Sequence, residues 1–304
     1  MRTTEEKSRR GVTLLISSGR TDVGKRRDNN QDNIYLSDSP VGSLPNLYIV
    51  ADGMGGHAAG DFASRYAIQK VVDFVKTSSV KNPISLLRRA IISANNEVYQ
   101  EAEKDEAKGG MGTTMVVCVV NGVSTEPENA SSESSFSESS FSESSYQSES
   151  ENNLIADSKN KSKKQKAQDT SSDLKLICGN IGDSRLYLIN DEIRQITMDH
   201  SLVEELIREG QLDRKKGRNH PEKNIITRAM GSREEAMPDF FEVPLQPGDR
   251  ILLCSDGLSN MVENDEIRDI VREYEDPAAA VDALIERANY YGGNDNISAV
   301  VISL

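Results

Sequence analysis

Three aspartates stand where apolar, strand-like runs meet turns, in Val50-Ala51-Asp52-Gly53-Met54-Gly55-Gly56-His57, Cys254-Ser255-Asp256-Gly257-Leu258 and Asn294-Asp295-Asn296-Ile297-Ser298. One Asp-Gly after an apolar run is a common turn signal. Its repetition is more restrictive, because a shared sheet would bring three sequence-distant carboxylates together at strand ends. Clustered carboxylates repel unless cations neutralise them, and hard oxygen ligands of this kind hold Mg or Mn.

A chain of 304 residues that is 36% hydrophobic can bury a sizeable core, and one large domain is the expected organisation. The formal net charge of -13 leaves no basic face for nucleic acid or an anionic membrane. Cys118, Cys178 and Cys254 each lie in an apolar run without metal-binding spacing, so they read as small buried hydrophobes in a reducing cytosol. Met1 to Arg10 is charged, Val12 to Ile16 is short, and no window approaches the roughly 18 apolar residues of a membrane span. A soluble, unprocessed, cytoplasmic protein is expected.

Apolar content collapses at about 122–172, where Ser134-Ser135-Phe136-Ser137-Glu138 recurs as Ser139-Ser140-Phe141-Ser142-Glu143. Such a stretch cannot bury enough to order itself and reads as an insertion without fixed structure. Ser124 to Glu151 holds seven Glu and no Lys or Arg, so the chain's acidity says little about its folded body. On either side, Met115 to Val120 and Leu174 to Cys178 are β-rich and predict a hairpin with a very long loop, projecting from a sheet edge.

Further strands are predicted at Val12 to Ser17, Ile34 to Leu36, Leu47 to Ala51, Arg185 to Ile189, Phe240 to Val243, Arg250 to Ser255 and Ile297 to Ser303. Pro83 after the cap Asn82 opens a helix whose stripe is Ile84, Leu87, Ile91, Ala94 and Val98. A second helix runs from about Asp61 to Val75, and Ser201 with Glu204 makes a capping box with Gly210 as a stop. Two more helices follow Asn264 and Asp276. Strands in groups with helices between the groups favour an α+β fold over regular βαβ alternation.

In chain order, the motifs are Val23-Gly24-Lys25-Arg26-Arg27-Asp28-Asn29-Asn30-Gln31-Asp32, the Asp52 segment through Gly60-Asp61, Gly112-Thr113-Thr114, Gly179-Asn180-Ile181-Gly182-Asp183-Ser184-Arg185, Asp199-His200-Ser201, Leu245-Gln246-Pro247-Gly248-Asp249, Ser255-Asp256-Gly257-Leu258 and Asn294-Asp295-Asn296. Together they resemble the metal-dependent protein Ser/Thr phosphatases of the PP2C (PPM) family, most of all its bacterial members, from Ser17 to Leu304 outside the insertion. The resemblance implies an α-β-β-α sandwich, with two central antiparallel sheets flanked by helices, as one domain over 1–304. It also implies hydrolysis of phosphoserine and phosphothreonine by a water shared between two Mn2+ or Mg2+ ions, with no phosphoenzyme.

Carried over residue by residue, Asp52 would bridge the two ions, Gly53 would lend its carbonyl to one, and Asp256 and Asp295 would hold the other. Asp183 would sit near a third. Asp32 would act as a ligand or directly behind one, and Arg27 would grip the substrate phosphate through its planar donor fork. The implied partners are phosphorylated proteins and a cognate Ser/Thr kinase, with the phosphatase itself a monomer.

Each residue also has a plainer reading. Arg27 with Lys25 and Arg26 is, in isolation, a solvated loop, and Asp183 could mark a turn. His57 and His200 read as structural, His220 before Pro221 as part of a turn, and Asp199 as a residue preceding a helix cap. Two departures bear on chemistry: Met54 stands where many eukaryotic members have a His that protonates the leaving oxygen, and Gln31 stands where many have Glu. The segment Leu202 to Asn224 corresponds to the family's flap, whose Arg208, Arg214, Lys215, Lys216 and Arg218 could meet substrate or simply be solvated. Two other classes remain. A silent phosphoprotein-binding scaffold would lack the metal carboxylates, which are present here, and a calcium-binding domain would show a D-x-[DN]-x-[DN]-G loop, which is absent.

Overall fold

In the computed structural model, Tyr48 and Val50 point to one face of a strand while Leu47, Ile49 and Ala51 point to the other, and all are buried. An unbroken apolar run of this kind belongs to a sheet covered on both faces. The structure describes residues 15–55, 58–122 and 174–304; the predicted insertion and His57 lie outside them. The described residues fall within one compact unit, 1–125 with 172–304.

One sheet contains β1 (Ile16–Asp22), β7 (Arg185–Ile189), β8 (Ile193–Gln195), β10 (Arg250–Cys254) and β11 (Ile297–Ser303), ordered β1-β11-β10-β7-β8. The other contains β2 (Asp32–Ser37), β3 (Leu47–Met54), β5 (Met115–Asn121), β6 (Lys175–Ile181) and β9 (Asp239–Pro244), ordered β2-β3-β5-β6-β9, with β4 (Gly112–Thr113) added beside β3. All pairings are antiparallel. Tyr48, Val50, Val116, Cys118 and Cys178 meet Leu186, Ile251, Leu253, Val300 and Ile302 in a core between the sheets.

Helices α1 (Ala58–Thr77) and α2 (Pro83–Lys104) cover the second sheet, with Leu87, Ile91, Ala94 and Val98 of the predicted stripe buried and Ile84 partly so. On the first sheet, α6 (Asn264–Glu273) and α7 (Pro277–Tyr290) bury Ile267, Val271, Val281 and Leu284. The expected four-layer α-β-β-α arrangement is therefore present. Caps follow the sequence: Asn82 accepts from Ser85 N, Ser201 from Glu204 N at the start of α3 (Leu202–Arg208), and Asp276 from Ala278 N.

Two expectations are corrected. Of the first predicted strand, Val12 to Leu14 lie outside the described residues; β1 spans Ile16–Asp22 and so runs on past Ser17. Its polar ISSGRTD sequence suits an edge strand paired only to β11, and a Cβ on Gly19 would lie 2.8 Å from Val300 Cγ2. The hairpin β5–β6 forms as predicted, from Met115↔Ile181 to Asn121↔Lys175, but it lies inside the sheet between β3 and β9. Strands so apolar on both faces are buried by neighbours on both sides, so the insertion interrupts two interior strands and not a sheet edge.

Candidate metal centre

The registers gather one end of both sheets. Asp32 at the start of β2 pairs with Asp52 near the end of β3. Met115 at the start of β5 pairs with Ile181, two residues before Asp183. In the other sheet Cys254, which leads into Asp256, pairs with both Arg185 and Ala299, four residues after Asp295. Five carboxylates, Asp32, Asp52, Asp183, Asp256 and Asp295, are thereby brought to one end from five separate segments of the chain. The bounding residues of the insertion, Asn121 and Lys175, pair at the opposite end of their hairpin.

Asp32 is 3% exposed, and its Oδ2 accepts from Ser255 Oγ at 2.7 Å and Ser298 Oγ at 2.8 Å. Its Oδ1 is buried without a partner, as are Oδ1 of Asp183 and Oδ1 of Asp256. Burial raises the Asp32 carboxyl to about 7, against the two hydroxyls, with the charges of Asp256 and Asp295 adding to the rise. Asp256 is raised to about 6, chiefly by burial and then by Asp295. The Asp52 carboxyl lies within hydrogen-bonding reach of it. Asp52 itself is pushed well above the carboxylate range by burial and by the charges of Asp32, Asp256, Asp183 and Asp295. Asp183 is raised by burial and by Asp256.

Backbone packing at this end depends on glycine. Gly53 N donates to Gln31 O at 3.1 Å, and a Cβ on Gly53 would fall 2.1 Å from Gly60 O. Glycine lets the end of β3 approach the start of α1. The Asp52 carbonyl is held by Thr113 Oγ1 at 2.9 Å and by Thr114 N at 2.8 Å. The Met54 methyl lies where a Cβ on Gly112 would meet it at 2.7 Å, so this side chain packs against the β4 strand.

Asn296 carries a function that the sequence did not disclose. Its Oδ1 accepts from Gln31 N at 2.8 Å, and its Nδ2 donates to Val23 O at 3.0 Å and Asn29 O at 2.9 Å. One amide thus fixes the loop that carries Arg27 onto the turn that carries Asp295. Its partners are more than 260 residues away, which no local pattern could signal. Arg27 Nη2 meets Asp295 Oδ2 at 2.8 Å. Ser255 and Ser298, read in the sequence only as motif neighbours, are the hydroxyls that cradle Asp32.

The other candidates separate from this cluster. His200 Nδ1 accepts from Gly182 N at 3.1 Å, so its neutral ring carries the proton on Nε2 and donates to Asp239 at 3.0 Å. Burial lowers its pKa, and the ring serves as a clamp on the Gly182-Asp183 turn. Asp199 binds Arg185 Nη2 at 2.7 Å and Gln195 Nε2 at 2.8 Å, a larger role than preceding a cap. His220 lies in a turn and accepts from Glu222 N.

A cleft of about 420 Å3 is walled by Asp183 and Asp256 on one side and by Val203, Ile207, Arg218 and Lys223 of the 202–224 segment on the other. In that segment Arg214 pairs with Glu204 at 2.7 Å, and Arg218 binds Ser259 O at 2.8 Å and Glu263 at 2.8 Å. These two arginines are held by the chain itself, which neither reading of the flap anticipated.

Among the described residues no three His, Cys, Asp or Glu side chains are gathered tightly enough to hold an ion unaided. Mg2+ in particular keeps several waters and needs only one or two carboxylates, so carboxylates that do not close a dry cage still suit it. The oxygen-only donors, three of them buried and unpartnered, fit hard divalent cations.

Comparison with known proteins bears on this geometry. Two family models, both described as protein phosphatase 2C, match residues 23–129 and 124–297. The chain is 34% identical over 288 residues to the serine/threonine phosphatase stp of Listeria monocytogenes, covering 93% of each. It is 34% identical over 287 residues to the protein phosphatase PhpP of Streptococcus pneumoniae, covering 93% of this chain and 95% of that one. Among solved structures, the Mycobacterium tuberculosis serine/threonine phosphatase PstP/Ppp superposes with a TM-score of 0.71 at 28% identity, covering 96% of this chain and 99% of that one. A catalytic domain of PstP in complex with two manganese ions gives 0.68 at 28%, covering 95% and 97%.

Proposed function

Because the chain belongs to the protein phosphatase 2C family and is a metal-dependent protein serine/threonine phosphatase, we propose that Asp52, Asp256, Asp295, Asp32 and Arg27 carry its chemistry. Asp52, central to the cluster, would hold two ions at once. Gly53 would add its carbonyl to one of them, and Asp256 and Asp295 would hold the other. Two Mn2+ or Mg2+ ions bound there would supply the charge that acidifies water and neutralises phosphoryl oxygens.

The remaining steps belong to the chain. Asp32, fixed by Ser255 and Ser298 at Oδ2 and with its Oδ1 buried and unpartnered, would support the ligands or join them. Arg27 would take two phosphate oxygens in its fork and hold the phosphorus in line for attack. Met54 brings no acid, so the departing Ser or Thr oxygen would take its proton from water. A third ion at Asp183 would face the cleft beside the 202–224 segment. The observation that supports this reading best is the set of buried, unpartnered oxygens on Asp32, Asp183 and Asp256, a costly arrangement unless cations meet them.

Its substrates are phosphorylated proteins, and we place it opposite a Ser/Thr kinase in the cytoplasm, acting as a monomer and as one domain. Among the described residues no helix is long and apolar enough to cross a membrane. The deciding experiment follows phosphate release from a phosphothreonine peptide in EDTA and then with Mn2+ or Mg2+, alongside Asp256→Asn. Release that requires metal and vanishes in the variant is expected. Metal-independent release, or full activity in Asp256→Asn, would sink the site.

A further inference from the structure

Of the five carboxylates at the metal end, Asp295 alone makes an ion pair among the described residues. Its Oδ1 is taken by Asn296 N at 2.9 Å, and its Oδ2 by Arg27 Nη2 at 2.8 Å. The backbone under Arg27 is pinned: Lys25 N donates to Gly293 O at 2.8 Å, and Asn296 Nδ2 holds the carbonyls of Val23 and Asn29. At Gly24, with φ +77°, a Cβ would lie 2.2 Å from Asp295 O, so loop and turn are in backbone contact. The guanidinium itself is half exposed, with 50% of the side chain accessible. A fixed stem with an accessible head allows the head to change partners without moving the loop.

From this geometry we infer that Arg27 is the resident counter-ion of Asp295, which a divalent cation must displace, so that metal loading hands the guanidinium to the substrate phosphate. The inference rests on the reading of Asp295 as a metal ligand and Arg27 as the phosphate grip. Arginine cannot shed its charge, so two cations at one carboxylate repel. An exposed ion pair is weak, and the divalent ion therefore wins, though with reduced affinity. Binding becomes ordered: metal first, then phosphate, with phosphate affinity set partly by metal occupancy. The same residue acts with opposite sign on its two ligands, weakening metal binding and strengthening substrate binding.

The test is a calorimetric titration of MnCl2 into the full chain after chelator treatment and without phosphate. Arg27→Met is expected to tighten Mn2+ binding by roughly threefold, the order of one exposed ion pair. Arg27→Lys keeps a cation beside Asp295 and is expected to bind Mn2+ as the unaltered protein does. KM for a phosphothreonine peptide should rise in both, because lysine lacks the planar fork. A residue that merely shaped the loop would weaken both ligands in both variants. Unchanged or weaker Mn2+ binding in Arg27→Met overturns the inference; were that variant unable to fold, Arg27→Gln takes its place in the titration, with the same two outcomes. Failure of the unaltered protein to release phosphate at saturating Mn2+ would instead strike the functional reading, since the calorimetry does not depend on turnover.

Discussion

Asp199 and Asp183 lie in one neighbourhood, the charge of Asp199 adding to the rise of the Asp183 carboxyl, yet the fold treats them differently. Asp199 meets the Arg185 guanidinium with both oxygens and accepts a third donor from Gln195. Asp183, like Asp32 and Asp256, has a buried oxygen with no hydrogen-bond partner. An acid whose charge is matched inside the chain is a structural element, whereas an acid left unmatched in low dielectric raises its own pKa and destabilises the fold. A cluster of such acids at one end of a sandwich whose apolar core is otherwise closed identifies where the protein expects positive charge from outside.

The largest effect should come from the cluster to which the unmatched acids belong. Asp52→Asn is expected to lower turnover by roughly a thousandfold or more, since it removes one charge from the centre of the cluster while keeping the shape. In EDTA its melting temperature should not fall below that of the unaltered chain. Turnover within tenfold of normal would break the comparison. The matched group should respond in the opposite way. Arg185→Met leaves the largely buried Asp199 side chain, 9% accessible, without its cation and should cost about 3 kcal/mol of stability in urea denaturation, whether or not metal is present. No loss of stability there would mean that the pair is not what holds Asp199.

A smaller effect is the dependence on pH. In the fold Asp32 is raised to about 7 and Asp256 to about 6, from an ordinary 3.8. Between those values and 3.8 the folded protein holds protons that the unfolded chain has released, so stability falls as pH rises. In chelator, what these protons contribute is fully present below the ordinary value and lost as pH climbs through about 6 to 7. Melting curves of the unaltered chain, referenced to Asp32→Asn at each pH, should show this decline, and added Mn2+ should remove it. A difference that does not change with pH would show the Asp32 carboxyl to be ionised already. The smallest effect is expected from deleting 124–171: hydrolysis of a small phosphate ester should stay within about twofold, because Asn121 and Lys175 pair at the hairpin end opposite Met115 and Ile181. A collapse in rate would show that the insertion acts on the site.

Much of this is legible in the sequence, and what is not shares one physical cause. Arg185 to Ile189 and Ile297 to Ser303 match their strands because both are apolar runs with sharp polar borders. Asn82, Ser201 and Asp276 cap their helices, since capping is decided within three residues. The first strand extends past its apolar residues because an edge strand needs few of them, so its polar half resembles a loop. The clamp by Asn296, the grip of Asp199 on Arg185 and the contact of Arg27 with Asp295 depend on groups that only the finished fold brings together. Motif resemblance points to the carboxylates as one set, but it gives no indication that one of them already has a partner.

The position of β5 and β6 inside their sheet has a consequence for how the protein forms. In the unfolded chain these neighbours are separated by about 50 residues, although their pairing ties β3 to β9 and so completes the sheet. Closing so long a loop costs about 2 kcal/mol more than closing one of about four residues, a cost met before any contact of the hairpin rewards it. The central hairpin is thus one of several sequence-distant pairings, alongside β1 with β11 and β7 with β10, and the length of the insertion bears on the rate of folding more than on the durability of the folded enzyme.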